Sequence, residues 1–254
     1  MTVLETKKLS RFFGGLKAVA DFNLRLEEGE LVGLIGPNGA GKTTVFNLIT
    51  GMYAPSEGSV HFLGHDVAGR RPYLIAQRGT SRTFQNIRLF KDLSVLDNVR
   101  IAYHFRSKAG FFSSVFRSSG FRREERDVRD RALEMLATVG LETRQDELAR
   151  NLPYGEQRRL EIARALVSGP RLLLLDEPAA GMNPFEAGRL MELITLVRNR
   201  FKLTILMIEH QMRVVMGICE RVVVMDFGET IAEGRPEQVQ NNPKVIEAYL
   251  GSEG

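Results

Sequence analysis

The stretch with the most readable chemistry runs from Leu31 to Thr44 and reads LVGLIGPNGAGKTT. A short apolar run leads into a glycine-rich turn, and the turn ends in Lys42-Thr43-Thr44 at the start of a helix-like segment, VFNLIT. Glycines tolerate positive φ, so the backbone of such a turn can direct several N–H groups at the oxygens of one anion. The pattern predicts a loop that holds a polyphosphate.

Each part of this loop has a predicted task. Lys42 adds a positive charge for the β- and γ-phosphates, Thr43 offers a hydroxyl ligand for Mg²⁺, and the helix that includes Thr44 contributes the positive end of its dipole. A chance glycine turn between a strand and a helix is the alternative, and the complete G-x-x-x-x-G-K-T spacing in that context argues against it. The residues predicted to form the cradle itself are Gly36, Pro37, Asn38, Gly39, Ala40 and Gly41.

Two acids, Asp176 and Glu177, end the uninterrupted apolar run LLLLDE. Such a run is typical of a central parallel strand covered on both faces, and the carboxyl end of that strand faces the ligand crevice. Asp176 is predicted to be the carboxylate linked to Mg²⁺. Glu177 lies one residue further out, so it is predicted to aim at an attacking water; a helix-capping acid before Pro178 is the alternative.

Three further residues have ordinary explanations beside the chemical ones. Phe13 could stack on a nucleobase or lie in the core, and Gln85 could reach a metal-bound water or lie in an exposed loop. His210, after the strand-like TILMI, could sense the γ-phosphate or form a local hydrogen bond. From the residues alone, these alternatives stay open.

The predicted elements would position these residues at one edge of a sheet. Alternation in FNLRL and the Gly14-Gly15 pair predict an antiparallel β layer within residues 3–30, and RVVVMDFGETIAEG predicts a hairpin near the end of the chain. Residues 92–150 are helix-rich and strand-poor, which indicates an inserted helical subdomain, with its last helix continuing to about residue 168. The predicted fold class is α/β, in one domain over 1–254 with its α/β core at 1–91 and 151–254.

Composition narrows the class of protein. The chain has 254 residues, and its 35 basic residues are interleaved with 31 acidic ones, so no nucleic-acid partner is expected. Cys219 is the single cysteine, which excludes an intrachain disulfide and suits a reducing compartment, the cytoplasm. The longest apolar runs are too short for a membrane span, so a membrane role is expected to require a separate subunit.

A basic and aromatic segment, residues 104–126, alternates phenylalanines with arginines and lysines. One interpretation is a surface that touches a membrane or a partner protein. The other is a loop whose aromatic side chains pack into the helical subdomain while the charges are solvated.

Together the blocks GPNGAGKTT, LPYGEQRRLEIARAL, LLLLDEP and IEH resemble an ATP-binding cassette (ABC) transporter ATPase over essentially the whole chain. The resemblance implies a P-loop NTPase with a RecA-like, mostly parallel core sheet, ATP and Mg²⁺ as its ligands, and hydrolysis of ATP to ADP and phosphate. It makes Phe13 the adenine-stacking aromatic, Gln85 a metal-linked residue that communicates with the membrane subunit, Glu177 the catalytic base and His210 the switch histidine, with Lys42 catalytic as well.

A narrower resemblance, carried by AAGMNP, by YGEQRRLEIARAL, by the 104–126 segment and by EAYLG, is to an ATPase subunit of branched-chain amino-acid importers. It implies a second, different ATPase as partner, two membrane permeases, a periplasmic binding protein, and a peripheral position at the cytoplasmic face of the inner membrane. Each ATPase would lend its signature motif to the phosphate loop of the other.

The signature motif departs from the Leu-Ser-Gly-Gly-Gln usual in the family. Here it reads Leu152, Pro153, Tyr154, Gly155, Glu156 and Gln157. Pro153 has neither a hydroxyl nor a backbone N–H, so a charge-assisted bond to the partner's γ-phosphate, worth about 1.5–3 kcal/mol, would be missing. Tyr154 puts a bulky side chain where glycine allows close approach.

Other functions fit less well. A P-loop GTPase or small-molecule kinase has no need of the 152–166 block, and an Asn-Lys-x-Asp base-reading motif is absent from the sequence. A soluble ABC protein of translation or DNA repair normally has tandem cassettes or a coiled-coil insertion. An ATPase of the lipopolysaccharide-export type shares the compact cassette but usually keeps Ser-Gly-Gly in its signature.

Overall fold

The structure is a computed structural model, and it describes residues 1–104 and 119–250. They divide into two compact units: Met1–Arg82 with the chain from Arg171 onward, and Thr83–Pro170. In chain order the described elements are β1 (Thr2–Phe13), β2 (Leu16–Glu27), β3 (Leu31–Ile35), α1 (Lys42–Ile49), β4 (Glu57–Phe62), β5 (His65–Asp66), α2 (Pro72–Gln77), β6 (Thr80–Arg82), α3 (Val95–His104), α4 (Ser119–Thr138), α5 (Tyr154–Leu166), β7 (Leu172–Asp176), α6 (Pro184–Phe201), β8 (Thr204–Ile208), α7 (Met212–Ile218), β9 (Arg221–Asp226), β10 (Glu229–Gly234), α8 (Pro236–Gln240) and α9 (Pro243–Leu250).

The first unit contains an antiparallel layer in the strand order β2-β1-β4-β5. β1 and β2 pair along their length, and Gly14, which has a φ of 56°, lies in the turn between them. The predicted strands on either side of Gly14-Gly15 are therefore confirmed. Residues on one face of this layer, including Leu4, Phe22 and Phe62, are buried in the hydrophobic core.

The second sheet of this unit has the strand order β10-β9-β3-β8-β7-β6. β3, β6, β7, β8 and β9 pair in parallel, and β10 pairs antiparallel with β9 through the turn at Phe227 and Gly228. β3, β7 and β8 are buried along their whole length, as their continuous apolar sequences predict. The predicted α/β fold with a mostly parallel core sheet and an antiparallel layer is confirmed.

α1 packs in the core that the two sheets of the first unit share. Its Phe46 and Leu48 are fully buried in the same cluster as Phe22 and Leu206. Gly41 has a φ of 101° and caps the N-terminus of α1, so the helix begins at Lys42. The core therefore fixes the helix that follows the predicted phosphate loop, residues 36–41.

The second unit contains α3, α4 and α5 together with two 3₁₀ turns, Glu142–Arg144 and Ala149–Asn151. Its buried side chains include Val99, Leu136 and Leu160. The predicted helical subdomain, 92–150, lies within this unit; its status as an insertion in one nucleotide-binding domain stays a prediction. Most of the basic and aromatic segment, 104–126, lies outside the described residues.

Among the helices of the described chain, none is both long enough and apolar enough to cross a membrane.

Candidate nucleotide site

Three parallel strands of the first unit bring the predicted site residues to one edge of the sheet. Ile208 of β8 pairs with Leu34 of β3 on one side and with Asp176 of β7 on the other. The three strands therefore end at the same level. The phosphate loop, Glu177 and His210 leave that edge immediately afterwards, as the carboxyl ends of parallel strands do.

The phosphate loop is shaped by close backbone approaches that require glycine. A Cβ on Gly36 would overlap the carbonyl oxygen of Met225, and a Cβ on Gly41 would overlap that of Ala18. Their φ angles, 148° and 101°, also disfavour side chains. These two glycines let the loop fit against the turn of β9 and β10 and against β2.

Backbone hydrogen bonds fasten the same loop to its surroundings. The amide of Gly228 donates to the carbonyl of Ala40 at 3.1 Å, and the amide of Ala20 donates to the carbonyl of Gly228 at 2.8 Å. Within the loop, the amide of Ala40 donates to the carbonyl of Pro37 at 3.2 Å. We name the two bonds from Ala20 to Gly228 and from Gly228 to Ala40 the backbone staple. Through these bonds, β2 and the turn between β9 and β10 hold the loop in place.

Lys42 is buried at the start of α1. Its ammonium group donates hydrogen bonds of 2.7 Å to the carbonyls of Gly36 and Pro37. Burial lowers the pKa of Lys42, against the opposing effect of the nearby carboxylates of Glu177 and Asp176. The cation and the two acids therefore share one environment, as their predicted roles require.

Asp176 forms a buried ion pair that the sequence did not indicate. The guanidinium Nη2 of Arg82 lies 2.8 Å from the Asp176 carboxylate, and Arg82 also donates to Asn47 at 2.8 Å from Nη1. Its guanidinium lies 5.3 Å from the centre of the Phe46 ring. Arg82 thus joins β6, the end of β7 and α1 around Asp176.

Glu177 has a strained backbone. Its φ is 46°, a value that non-glycine residues seldom adopt, and such a conformation costs about 1–3 kcal/mol. Its amide donates to the carbonyl of Ile208 at 3.0 Å, and its carbonyl accepts from Ala180 at 3.1 Å. The carboxylate Oε2 lies 3.8 Å from Nδ1 of the half-exposed His210. The structure therefore brings the predicted base and the predicted switch histidine together.

Glu209 is a second residue that sequence reasoning passed over. Its side chain is fully buried, and it accepts three backbone hydrogen bonds, from Ala179, His210 and Gln211. A buried carboxylate with several N–H donors is a stable arrangement, since the donors replace lost water. The acid before a histidine in IEH was the only signal in the sequence.

Phe13 lies at the end of β1 and is 41% exposed, so the core position open to it from the sequence is excluded. Its ring meets the ring of Tyr53 edge to face, with centroids 5.4 Å apart. The guanidinium of Arg11 lies 4.7 Å from the centre of the Phe13 ring. This exposed aromatic surface is available for stacking, and its role with adenine stays a prediction.

The signature motif lies in the second unit, at the start of α5. Leu152 is buried, Pro153 occupies the N-cap, and the amides of Glu156 and Gln157 donate to the Pro153 carbonyl at 2.9 and 3.0 Å. Tyr154 is turned along the helix, with its hydroxyl 3.2 Å from Nη2 of Arg158. The bulk of Tyr154 is therefore partly directed at its own helix.

Gln85 is an exposed residue of the second unit. Its backbone carbonyl accepts a hydrogen bond from the buried Arg158, and the carbonyl of Phe84 accepts another at 2.8 Å. Arg158 also pairs with Glu161 at 3.0 Å, and burial raises the pKa of Glu161 despite that cation. The backbone before and at Gln85 is thus fixed to α5, and its link to a metal stays a prediction.

The residues present fit Mg²⁺. Thr43 is exposed on the first turn of α1, and Asp176 supplies a carboxylate at the same sheet edge. The described residues contain no cluster of three or more His, Cys, Asp or Glu side chains suited to a metal. This donor set suits Mg²⁺, which is commonly held by one or two carboxylates together with substrate phosphates and water.

Comparison with known proteins gives consistent results. The family model described as "ABC transporter" matches residues 19–180, and the model described as "Branched-chain amino acid ATP-binding cassette transporter" matches residues 229–254. The chain is 48% identical to the high-affinity branched-chain amino acid transport ATP-binding protein LivG of Escherichia coli, with 98% of each chain covered. It is 46% identical to the high-affinity branched-chain amino acid transport ATP-binding protein BraF of Pseudomonas aeruginosa, with 98% of each chain covered. It is 34% identical to the lipopolysaccharide export system ATP-binding protein LptB of Haemophilus influenzae, with 100% of this chain and 99% of the other covered.

A solved ATP-binding cassette of an ABC transporter in its ADP conformation matches the structure with a TM-score of 0.86 at 32% identity, over 99% of both chains. A nucleotide-free cassette matches with a TM-score of 0.85 at 32% identity, over 98% of this chain and 99% of the other. These matches cover nearly the whole chain. The chain belongs to the ABC transporter family, as one of its ATP-binding cassettes.

Proposed function

We propose that this chain is the ATP-binding and ATP-hydrolysing subunit that powers an importer of branched-chain amino acids. The supporting observation is the common sheet edge at which the phosphate loop, Asp176, Glu177 and His210 meet. The 48% identity to LivG and the match of residues 229–254 to the branched-chain amino acid family support the substrate class.

Each residue has a proposed part in hydrolysis. The loop from Gly36 to Gly41 and the helix start with Thr44 bind the phosphates through backbone N–H groups, and Lys42 exchanges its loop carbonyls for phosphate oxygens. Glu177 accepts a proton from the attacking water, and His210 orients the γ-phosphate. Mg²⁺, when bound, would be held by Thr43 and Asp176 and would neutralise charge on the phosphates; a part for Gln85 rests on the family resemblance alone.

The proposed assembly contains a second ATP-binding subunit, two membrane permeases and, indirectly, a periplasmic binding protein. This chain would act at the cytoplasmic face of the membrane, with Phe13 stacked on adenine. Its signature, Leu152 to Gln157, would close on the partner's ATP. Because Pro153 lacks the hydroxyl of the usual serine, we propose that the second subunit differs from this chain and carries a complete signature.

Uptake of radiolabelled leucine by vesicles containing the complete transporter tests this function. Lys42→Ala should abolish ATP binding and uptake, because the cation of the phosphate loop is lost. Glu177→Gln should keep ATP binding but slow hydrolysis by about 10²–10⁴-fold, since the general base is removed. Normal ATP hydrolysis in both variants would refute the proposed ATPase site, and ATP-dependent uptake of a different solute would refute the substrate class.

A further inference from the structure

Glu209 lies between the two segments that carry the proposed base and the switch histidine. Its Oε1 accepts the amide of Ala179 at 3.2 Å, and Ala179 is two residues beyond Glu177. Its Oε2 accepts the amides of His210 at 2.9 Å and of Gln211 at 3.1 Å. One side chain therefore holds the backbone after β7 and the backbone after β8 at the same time.

Two further hydrogen bonds join the same two backbone segments on either side of Glu209. The amide of Glu177 donates to the carbonyl of Ile208 at 3.0 Å, and Gln211 Nε2 lies 3.5 Å from the carbonyl of Ala179. The buried Glu209 carboxylate adds its three hydrogen bonds between the same two segments. The turn that includes Glu177 is thus held at both ends against the segment that includes His210.

The strained backbone of Glu177 makes such support necessary. A φ of 46° persists in a non-glycine residue only where the surrounding structure enforces it. The gap of 3.8 Å between Glu177 Oε2 and His210 Nδ1 depends on both backbone segments. A shift of either segment would change the position of the base and the histidine together.

We propose that Glu209 is a positioning residue of the ATPase site, which sets the geometry of Glu177 and His210 through the backbone after β7 and β8. This inference rests on the proposed ATPase function. Glu209 is fully buried, and its Oε2 lies 3.9 Å from Nδ1 of His210, so it acts on the site through its neighbours. It is therefore required for the rate of hydrolysis and not for binding of ATP.

The substitution Glu209→Gln tests the idea with little change in shape. A carboxylate has only acceptors, whereas an amide presents an NH₂ group that must face at least one of the three backbone N–H donors. The two loops should then separate slightly, and misplacement by about 1 Å can reduce a rate by about 100-fold. Glu229→Gln, the same change at an exposed acid of β10, is the matched control.

ATP hydrolysis is measured in the complete transporter, with rates normalised to the number of sites that bind a fluorescent ATP analogue. Glu209→Gln should reduce kcat by about 100-fold while KM and the analogue's Kd stay within about twofold. In the His210→Ala background, Glu209→Gln should lower kcat by a smaller factor than in the original chain, because the part of its effect that passes through His210 is already lost. Glu229→Gln should leave every parameter unchanged.

Other outcomes would overturn the proposal. A kcat of Glu209→Gln within about twofold of the original chain would remove the positioning role, as would an equal loss of kcat and ATP affinity. Full multiplication of the Glu209 and His210 effects would also contradict it. Glu177→Gln in the same assay separates the two hypotheses: its inactivity beside a normal Glu209→Gln refutes the positioning role alone, and normal activity of both refutes the proposed ATPase site as well.

Discussion

The guanidinium of Arg82 and the carboxylate of Asp176 form an ion pair of 2.8 Å, with side chains only 8% and 6% exposed. The pair places a permanent positive charge beside the acid proposed to serve Mg²⁺. Because Arg82 also bonds to Asn47 of α1, the acid at the end of β7 is tied to the helix that follows the phosphate loop. Arg82 therefore holds the acid proposed to serve Mg²⁺ against the helix that follows the phosphate loop.

Loss of Arg82 should destabilise the fold strongly. Arg82→Ala leaves the buried Asp176 carboxylate without this cation, and breaking a buried ion pair from one side costs about 3–5 kcal/mol. Urea unfolding measures the change in the free energy of unfolding. Arg25→Ala, at the exposed pair with Glu27, is the control and should cost less than about 1 kcal/mol. Equal costs at the two positions would contradict the prediction.

The phosphate loop should be intolerant of a single methyl group at Gly41. Gly41→Ala adds a Cβ that overlaps the carbonyl of Ala18 at a φ of 101°, and strain of this kind costs about 1–3 kcal/mol. Binding of a fluorescent ATP analogue should weaken at least about tenfold, which corresponds to 1.4 kcal/mol or more. At Gly15 a Cβ would meet nothing within 4 Å, so Gly15→Ala should bind the analogue normally. Unchanged binding in Gly41→Ala would mean that the loop adapts.

Cys219 should be almost inert towards alkylation in the native protein. Burial, helped by the charges of Glu209 and Glu220, raises the pKa of its thiol to about 12, so very little thiolate exists at pH 8. Iodoacetamide should modify the native chain far more slowly than the urea-unfolded chain. Because the folded pKa is raised, the thiol's contribution to stability should be complete below pH 9.0 and should fall as the pH rises towards about 12. Equal labelling rates for native and unfolded protein would contradict this.

The two ATP sites of the assembled transporter should be unequal. This chain's own site, with Lys42 and Glu177, would be completed by an intact signature, whereas the partner's site would receive Pro153. Glu177→Gln should therefore reduce hydrolysis by the complex more than the same change in the partner's catalytic glutamate. Restoring the usual residues with Pro153→Ser and Tyr154→Gly should reduce the difference. Equal hydrolysis at both sites of the unmodified complex would count against the asymmetry.

Much of the site could be predicted because its chemistry is local in the sequence. The loop that ends at Lys42 has its glycines, its cation and its helix start in one uninterrupted stretch, and Asp176 and Glu177 come at the end of their strand. Such patterns need no knowledge of which strands are neighbours. The fold class followed in the same way from buried apolar runs that alternate with amphipathic segments.

Arg82 and Glu209 could not be found in this way, for two different physical reasons. Arg82 meets an acid 94 residues away, and the contact exists only because β6 lies next to β7 in the sheet. Glu209 is fully buried, whereas glutamates are ordinarily at the surface unless partners are provided. Its partners are backbone amides, which carry no sequence signal. Phe13 differs from Glu209 in the other direction. Glu209 is a charged residue that lies buried, whereas Phe13 is an aromatic residue that lies partly exposed beside Tyr53.

The backbone staple has a thermodynamic consequence for the nucleotide. The amide of Gly228 restrains the loop at Ala40, and Gly228 is itself held by the amide of Ala20. The conformational entropy of the loop is therefore lost during folding, before a triphosphate binds. Little of the free energy of binding is then needed to order the loop. More of it is available to drive closure of the second subunit over the bound nucleotide.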